Sequence, residues 1–175
     1  MIEQRIKEQI RDIPDFPAPG IIFKDITPVL ANPALCKEIA DELITRLKDI
    51  HIDAIAAIES RGFLFGMLIA ERLNIPFIPV RKKGKLPFQT IAETYRLEYG
   101  EATIEMHQDA FKLGSKILIH DDILATGGTV EAASKLVERL GGKVTAYSFL
   151  LSLSFLNGEE RIRKFSGNIS TLANY

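Results

Sequence analysis

Apolar residues recur along this chain in two rhythms. Leu35, Ile39, Leu43 and Leu47 stand four apart, so the stretch from about Pro33 to Ile50 predicts a helix with one buried face. Ile2, Ile6, Ile10 and Ile13 keep a similar spacing and predict a short amphipathic helix over the first dozen residues. Asp53–Ile58 and Lys116–His120 are instead short, nearly unbroken apolar runs, the pattern of strands buried on both faces. Ile75–Val80 is a third such run, and Pro76 and Pro79 limit its pairing. Gly62–Leu73 and Thr129–Leu140 read as helices, the second stopped by Gly141-Gly142. Thr94–Glu98 and Ala102–Glu105 flank Gly100 as a hairpin, and Lys143–Leu153 holds the last long strand. Beyond Asn157-Gly158 the pattern weakens. Strands alternating with helices predict an α/β fold of βαβ units around a mainly parallel central sheet flanked by helices. Ligands of such sheets sit at the carboxyl ends of strands, so the loops after Ile58, Val80 and His120 are where chemistry is expected.

One segment obeys neither rhythm. Four prolines, Pro14, Pro17, Pro19 and Pro28, exclude a helix from Asp15 to Pro28. The segment is still apolar, with Phe16, Ile21, Ile22, Phe23 and Ile26. Apolar irregular chain covers something, either core or ligand.

At 175 residues the chain is of one-domain size, and 46% hydrophobic with 26% charged residues is ordinary globular composition. Disorder and fibre are excluded. Lys+Arg is 22 against 23 for Asp+Glu, a net charge of −1, which gives no bulk attraction to nucleic acid or anionic lipid. The lone cysteine, Cys36, cannot form an internal disulfide and fits a reducing compartment. The first residues carry scattered charge rather than the apolar core of a secretory leader, and no apolar run is long enough to cross a bilayer. His51, His107, His120 and Cys36 lack zinc-ligand spacing.

The most informative stretch is Ile117–Thr129, where an apolar strand meets two adjacent carboxylates, then a small-residue turn, then a helix. Gly127 and Gly128 permit close backbone approach, and the N–H groups of Ala125 to Thr129 open a helix, a ready site for phosphate. Asp121 and Asp122 would repel phosphate and suit ribose hydroxyls or a magnesium ion. An ordinary capped helix with solvated aspartates would account for the same residues. No P-loop or G-x-G-x-x-G motif competes.

Asp121-Asp-Ile-Leu-Ala-Thr-Gly-Gly-Thr129 resembles the 5-phosphoribosyl-1-pyrophosphate (PRPP) motif of the type I phosphoribosyltransferases. Phe16–Phe23, Ser60–Gly66, Arg81–Pro87 and Leu97–Gly100 resemble, in the same order, segments of the members that act on adenine. The resemblance covers about Phe16 to Leu156. It implies a type I phosphoribosyltransferase fold in a single domain over 1–175. About 1–33 would form an N-terminal helix and base-binding hood, and about 34–175 a core with a flexible active-site loop over 81–105. The implied activity is purine salvage: transfer of the 5-phosphoribosyl group from PRPP to adenine, giving AMP and pyrophosphate through an oxocarbenium-like transition state. Mg²⁺ would be held mainly by substrate oxygens, without a dedicated protein site.

Residue roles follow from the same resemblance. Ala125, Thr126, Gly127, Gly128 and Thr129 would hold the 5′-phosphate, and Asp121 and Asp122 the ribose. Glu59, Ser60 and Arg61 would bind pyrophosphate, with a cis peptide between Glu59 and Ser60. Arg81 and Lys85 would reach the pyrophosphate of a neighbouring subunit, which makes the protein a homodimer. Ile22, Phe23 and Lys24 would cover adenine, Phe23 stacking on the base while the backbone of Ile22 and Lys24 reads its edge, with Ile123 and Leu153 opposite. Glu98 would be the general acid at the adenine imidazole ring, on a loop that closes and excludes water. The expected setting is cytoplasmic, with small-molecule substrates and no nucleic-acid or membrane partner. The sequence departs from the family at three points: Lys24 stands for the commoner arginine, Ser152 for a glutamate, and His120 for an aliphatic residue. Two other readings use the same residues. One is a PRPP enzyme for xanthine, guanine or hypoxanthine, against which the hood segment argues. The other is a PRPP-sensing regulator, against which Glu98 and the lack of a spare DNA-binding segment argue.

Overall fold

The computed structural model describes residues 1–97 and 100–175. Helix α1 (Ile2–Gln9) stops short of the expected dozen residues, and Ile13 lies instead in strand β1 (Arg11–Pro14). Ile13, as the residue before Pro14, is pushed out of the helical region, and β1 finds an antiparallel partner in β2 (Ile22–Asp25). These two strands form a small sheet of their own, the hood. The proline-rich segment is otherwise irregular, but its end turns into a single helical turn, α2 (Thr27–Leu30). Pro28 is tolerated there because it stands in the first turn, where no intrahelical N–H bond is needed.

Helix α3 (Pro33–Leu47) starts where Asn32 accepts a hydrogen bond from the Leu35 N–H, and it buries Leu35, Ile39, Leu43 and Leu47 as its spacing predicts. Strand β3 (Ala54–Ile58), helix α4 (Gly62–Leu73) and strand β4 (Phe77–Lys82) complete one βαβ unit. Strand β4 pairs along β3 through Val80, but pairs with its other neighbour only at Arg81 and Lys82. The prolines therefore limit pairing on one side only. That neighbour belongs to the predicted hairpin, β5 (Thr90–Arg96) with β6 (Glu101–His107).

Strand β7 (Lys116–Leu124) is longer than expected and carries Asp121 and Asp122 within it. Its pairing with β3 ends at His120, where β3 gives way to the Glu59 loop. Strand β8 (Lys143–Ser152) supports it as far as Leu124. The acids thus stand on a strand that overhangs one neighbour, and the loop to inspect follows Leu124 rather than His120. Helix α5 (Gly128–Arg139) leads into β8, and the weakly patterned tail supplies helix α6 (Gly158–Ile162) and strand β9 (Ile169–Asn174).

The main sheet has seven strands in the order β5-β6-β4-β3-β7-β8-β9, with β4, β3, β7, β8 and β9 parallel and the β5–β6 hairpin antiparallel at one edge. One apolar layer joins α1, α2, α3 and α4 to one face through Ile55, Leu118 and Leu150. A second joins α5 and α6 to the other through Ile119, Val137 and Phe149. No helix among the described residues is long and apolar enough to cross a membrane.

Candidate active site

The carboxyl ends of β3, β7 and β8 converge under the hood. Asp122 is 3% exposed, and its Oδ2 lies 2.7 Å from Arg61 Nε, an ion pair whose N–H does not point along the line of a hydrogen bond. Asp121 accepts a hydrogen bond on Oδ1 from the Asp122 N–H at 2.9 Å. Burial and the adjacent Asp122 charge push the Asp121 carboxyl well above the usual carboxylate range. Burial raises Asp122 as well, and Arg61 offsets part of that rise. Gly62 begins α4 against this pair; a Cβ there would stand 2.9 Å from Asp121 Oδ1.

Behind the acids, His120 is fully buried, its Nδ1 2.7 Å from Ser148 Oγ and its Nε2 without a partner. Burial pulls its imidazole down to about 4, so it is neutral at physiological pH.

The turn Ala125–Thr129 carries the chain from β7 into α5. Gly127 has φ 77°, a left-handed conformation that favours glycine. Its Cβ position is closed by Gly158 O at 2.8 Å, and a Cβ on Gly158 would meet Ala125 O at 2.2 Å. The two glycines let the start of α6 seat directly on the turn. The first N–H groups of α5 lack intrahelical acceptors and face the same space, with the helix dipole behind them. Thr129 Oγ1 bonds the Tyr95 hydroxyl of β5 at 2.9 Å, which ties the hairpin to the turn. Glu131, one turn into α5, would oppose an anion. Arg161 and Lys164 both pair with it and hold its carboxyl low despite burial.

On the other flank, the Glu59–Ser60 peptide is cis. Glu59 binds Arg81 through two hydrogen bonds, at 3.1 and 3.2 Å, and accepts the Lys82 N–H at 3.0 Å. The Arg81 hydrogen bonds hold the Glu59 carboxyl below its ordinary range. Within one chain, Arg81 therefore belongs to the Glu59 loop, and Lys85 is exposed nearby. Arg61 caps α4, and its guanidinium lies 5.0 Å from the centre of the Phe23 ring as well as against Asp122.

The hood residues divide by strand alternation. Phe23 turns toward Arg61 and packs edge-on against Phe16. Ile22 and Lys24 line a cleft of about 520 Å³ together with Ala125, Thr126, Leu153 and Tyr175. Leu153 is fixed there by its N–H bond to Leu124 O at 2.9 Å. Ile123 faces the layer of α3 and α4 instead and does not line that cleft. Glu98 lies outside the described residues.

The sequence reading missed Tyr95, Gly158, Arg161 and Tyr175. Gly158 had a visible turn signature in Asn157-Gly158, but its partner in the turn is over thirty residues away in sequence. The others have no local pattern at all.

Two adjacent acids, a helix-opening turn and an arginine-bearing loop at the carboxyl ends of neighbouring parallel strands define a phosphoribosyltransferase of type I. The family model described as phosphoribosyl transferase domain matches residues 25–163. The chain is 55% identical over 175 residues to the adenine phosphoribosyltransferase of Cytophaga hutchinsonii, covering 100% of this chain and 97% of that one. The adenine phosphoribosyltransferase structure from Thermoanaerobacter pseudethanolicus matches with a TM-score of 0.96 at 46% identity over 100% of both chains. That from Saccharomyces cerevisiae, complexed with an imino-altritol bisphosphate and adenine, matches with a TM-score of 0.90 at 39% identity over 98% of both. The chain belongs to the adenine phosphoribosyltransferase family.

Proposed function

We propose that this protein makes AMP and pyrophosphate from adenine and PRPP, with the residue roles that follow. The observation that carries the reading is the meeting of Asp121, Asp122, Arg61 and the Ala125–Thr129 turn at the carboxyl ends of the central strands, beneath the hood. The turn suits the 5′-phosphate, as a helix start suits any phosphate. With the phosphate there, the ribose falls beside the acids.

The bond from C1 of the ribose to pyrophosphate breaks while an imidazole nitrogen of adenine bonds to C1. Positive charge develops on the ribose ring, and the carboxylates beside it stabilise that charge. A cation beside the acids would offset the burial and the Asp122 charge that raise the Asp121 carboxyl. Arg61, Ser60 and Glu59 form the pyrophosphate side, Arg61 as a charge-assisted donor. Releasing Arg61 to pyrophosphate would free Asp122 for the ribose. The attacking nitrogen gives up its proton to the departing pyrophosphate as it bonds, while Glu98, as general acid, lends a proton to the other imidazole nitrogen and takes it back once the bond to C1 has formed.

Mg²⁺ would neutralise the leaving pyrophosphate. Among the described residues no group of three or more His, Cys, Asp and Glu could form a cage for a metal, while Asp121 and Asp122 offer oxygen donors of the type it takes. Substrate oxygens would hold most of its coordination shell, with the two acids adjacent. The protein acts as a cytoplasmic homodimer on small molecules, without nucleic-acid or membrane partners, and Arg81 and Lys85 serve the neighbour's pyrophosphate. A net charge of −1 supports the small-molecule reading. The loop over 81–105 would act as the flexible closing element of a single domain.

Incubating the protein with PRPP, Mg²⁺ and each nucleobase in turn tests the assignment. AMP is expected with adenine, and only when all three components are present. IMP or GMP formed at comparable kcat/KM would overturn the choice of base and leave the PRPP site standing.

A further inference from the structure

Strand β2 faces the cleft with one charged side chain, Lys24, and that charge is fully engaged. Its Nζ donates to both Asp12 carboxylate oxygens, at 2.7 and 2.9 Å. Asp12 is its opposite residue in the β1–β2 ladder. The same Nζ lies 4.0 Å from the centre of the Tyr175 ring, and the Lys24 side chain is only 12% exposed. Tyr175 is itself pinned across the cleft. Its N–H donates to Ser152 O and its carbonyl accepts the Ser154 N–H, each at 2.9 Å, so it flanks Leu153 at the end of β8. One cation therefore bridges the hood and the core.

The backbone of β2 explains what such a bridge would do. Pro14 has no N–H and stands opposite Ile22, which marks that pair as a non-hydrogen-bonded one. The antiparallel ladder alternates, so Asp12 and Lys24 are the next such pair. The N–H and C=O groups of Ile22 and Lys24 then point away from β1 toward the open edge. Those groups can read the edge of a heterocycle only if β2 holds its distance from Leu153. The hood is a two-stranded ribbon, a form marginally stable by itself.

We propose that Tyr175 is a positioning residue for the base: its ring holds the Lys24 ammonium, and through it the backbone of β2, at the spacing a planar purine needs. This deepens the base-binding reading of the cleft and rests on it. Cation–π attraction at a partly desolvated site is appreciable, and the aromatic face rather than the hydroxyl supplies it.

The test is steady-state kinetics on the full chain with Tyr175→Leu and Tyr175→Phe. Tyr175→Leu is expected to raise KM for adenine about 3–30-fold, in line with a lost cation–π contact, with KM for PRPP unchanged. Tyr175→Phe is expected to behave as the parent. Lys7 Nζ also lies over the Tyr175 ring, at 5.1 Å, but it stands on α1 and not on the hood, so in a Lys24→Met background Tyr175→Leu should cost little further in adenine KM. If Tyr175→Leu leaves adenine KM within twofold of a parent that makes AMP, the inference is wrong and the base assignment survives. If KM rises for both substrates together with a fall in Tm, Tyr175 is merely structural and the inference is again wrong. If the parent makes no AMP, the reading of the cleft falls first.

Discussion

Arg61 Nε lies 2.7 Å from Asp122 Oδ2, and the same guanidinium lies 5.0 Å from the Phe23 ring. One side chain thus joins the strand that carries the acids to the hood that covers them. Arg61 comes from the first turn of α4, just beyond the cis peptide, so its position depends on how Gly62 seats that helix against Asp121. The pair balances a nearly buried carboxylate with a cation that has partial access to solvent. On the proposed reading, a pyrophosphate oxygen at Arg61 would compete with Asp122 for it, which would couple pyrophosphate binding to the state of the acid.

Asp122→Asn should lower kcat about 10²–10³-fold, the usual loss when one group that stabilises transition-state charge is removed. Adenine KM should change little, because the proposed place of the acid is beside the ribose and not the base. Steady-state kinetics with each substrate varied in turn reads both numbers, and an unchanged kcat would mark the aspartate as structural.

Gly158→Ala should damage PRPP binding from a distance. The new Cβ would meet Ala125 O at 2.2 Å, and that carbonyl belongs to the turn proposed to hold the 5′-phosphate. Overpacking of this kind costs about 1–3 kcal/mol, shared between stability and the geometry of the turn. The expected outcome is a KM for PRPP raised at least about 10-fold with adenine KM near its original value. A lowered Tm with unaltered PRPP affinity would show that α6 moves and the turn does not.

His120 makes the fold sensitive to acid. Its folded pKa of about 4 lies below the ordinary 6.5, so between those values the unfolded chain binds more protons. Stability therefore falls as pH drops from about 6.5 toward 4. Asp121 works in the opposite sense, since its raised pKa favours the native state as pH falls. Replacing His120 with Val and Ser148 with Ala removes the imidazole without orphaning the hydroxyl. Urea unfolding at pH 7 and pH 5 should show the double variant losing about 2 kcal/mol less than the parent over that interval. Equal losses would mean that the imidazole is protonated, or solvated, in the native state.

Arg81 separates an own-chain role from a shared one. Equal amounts of Arg81→Ala and Asp121→Asn protein are mixed under conditions where subunits exchange. A heterodimer with shared sites has one site carrying both defects and one carrying neither. Random exchange then restores about a quarter of the wild-type activity per subunit. No recovery despite verified exchange would assign Arg81 to its own chain, where Glu59 already binds it.

Glu98→Gln keeps size and polarity but cannot trade a proton. Single-turnover chemistry should slow at least about 10-fold while adenine Kd stays the same. Quench-flow is the suitable measurement, because loop motion or product release can mask the step in steady-state kcat. A wild-type single-turnover rate would remove Glu98 from the proton-transfer role.

Much of this molecule is local and could be read as such. The stripe Leu35–Leu47, the buried runs before Glu59 and Asp121, and the hairpin about Gly100 each follow from a period of apolar residues, which depends on near neighbours alone. The Asp121–Thr129 stretch is equally local, since acids, glycines and helix start lie on one short piece of chain. Contacts between distant segments were not legible. Gly158 closes over Gly127, Tyr95 reaches Thr129, and Tyr175 faces Lys24, each across a separation no periodicity spans. The end of α1 and the full length of β7 belong with these: Ile13 becomes a strand residue because β2 is there to pair with it, and Asp121 and Asp122 stay extended because β8 continues beside them. Backbone hydrogen bonds in a sheet are satisfied by a partner strand, so where a strand ends depends on residues that folding alone brings alongside it.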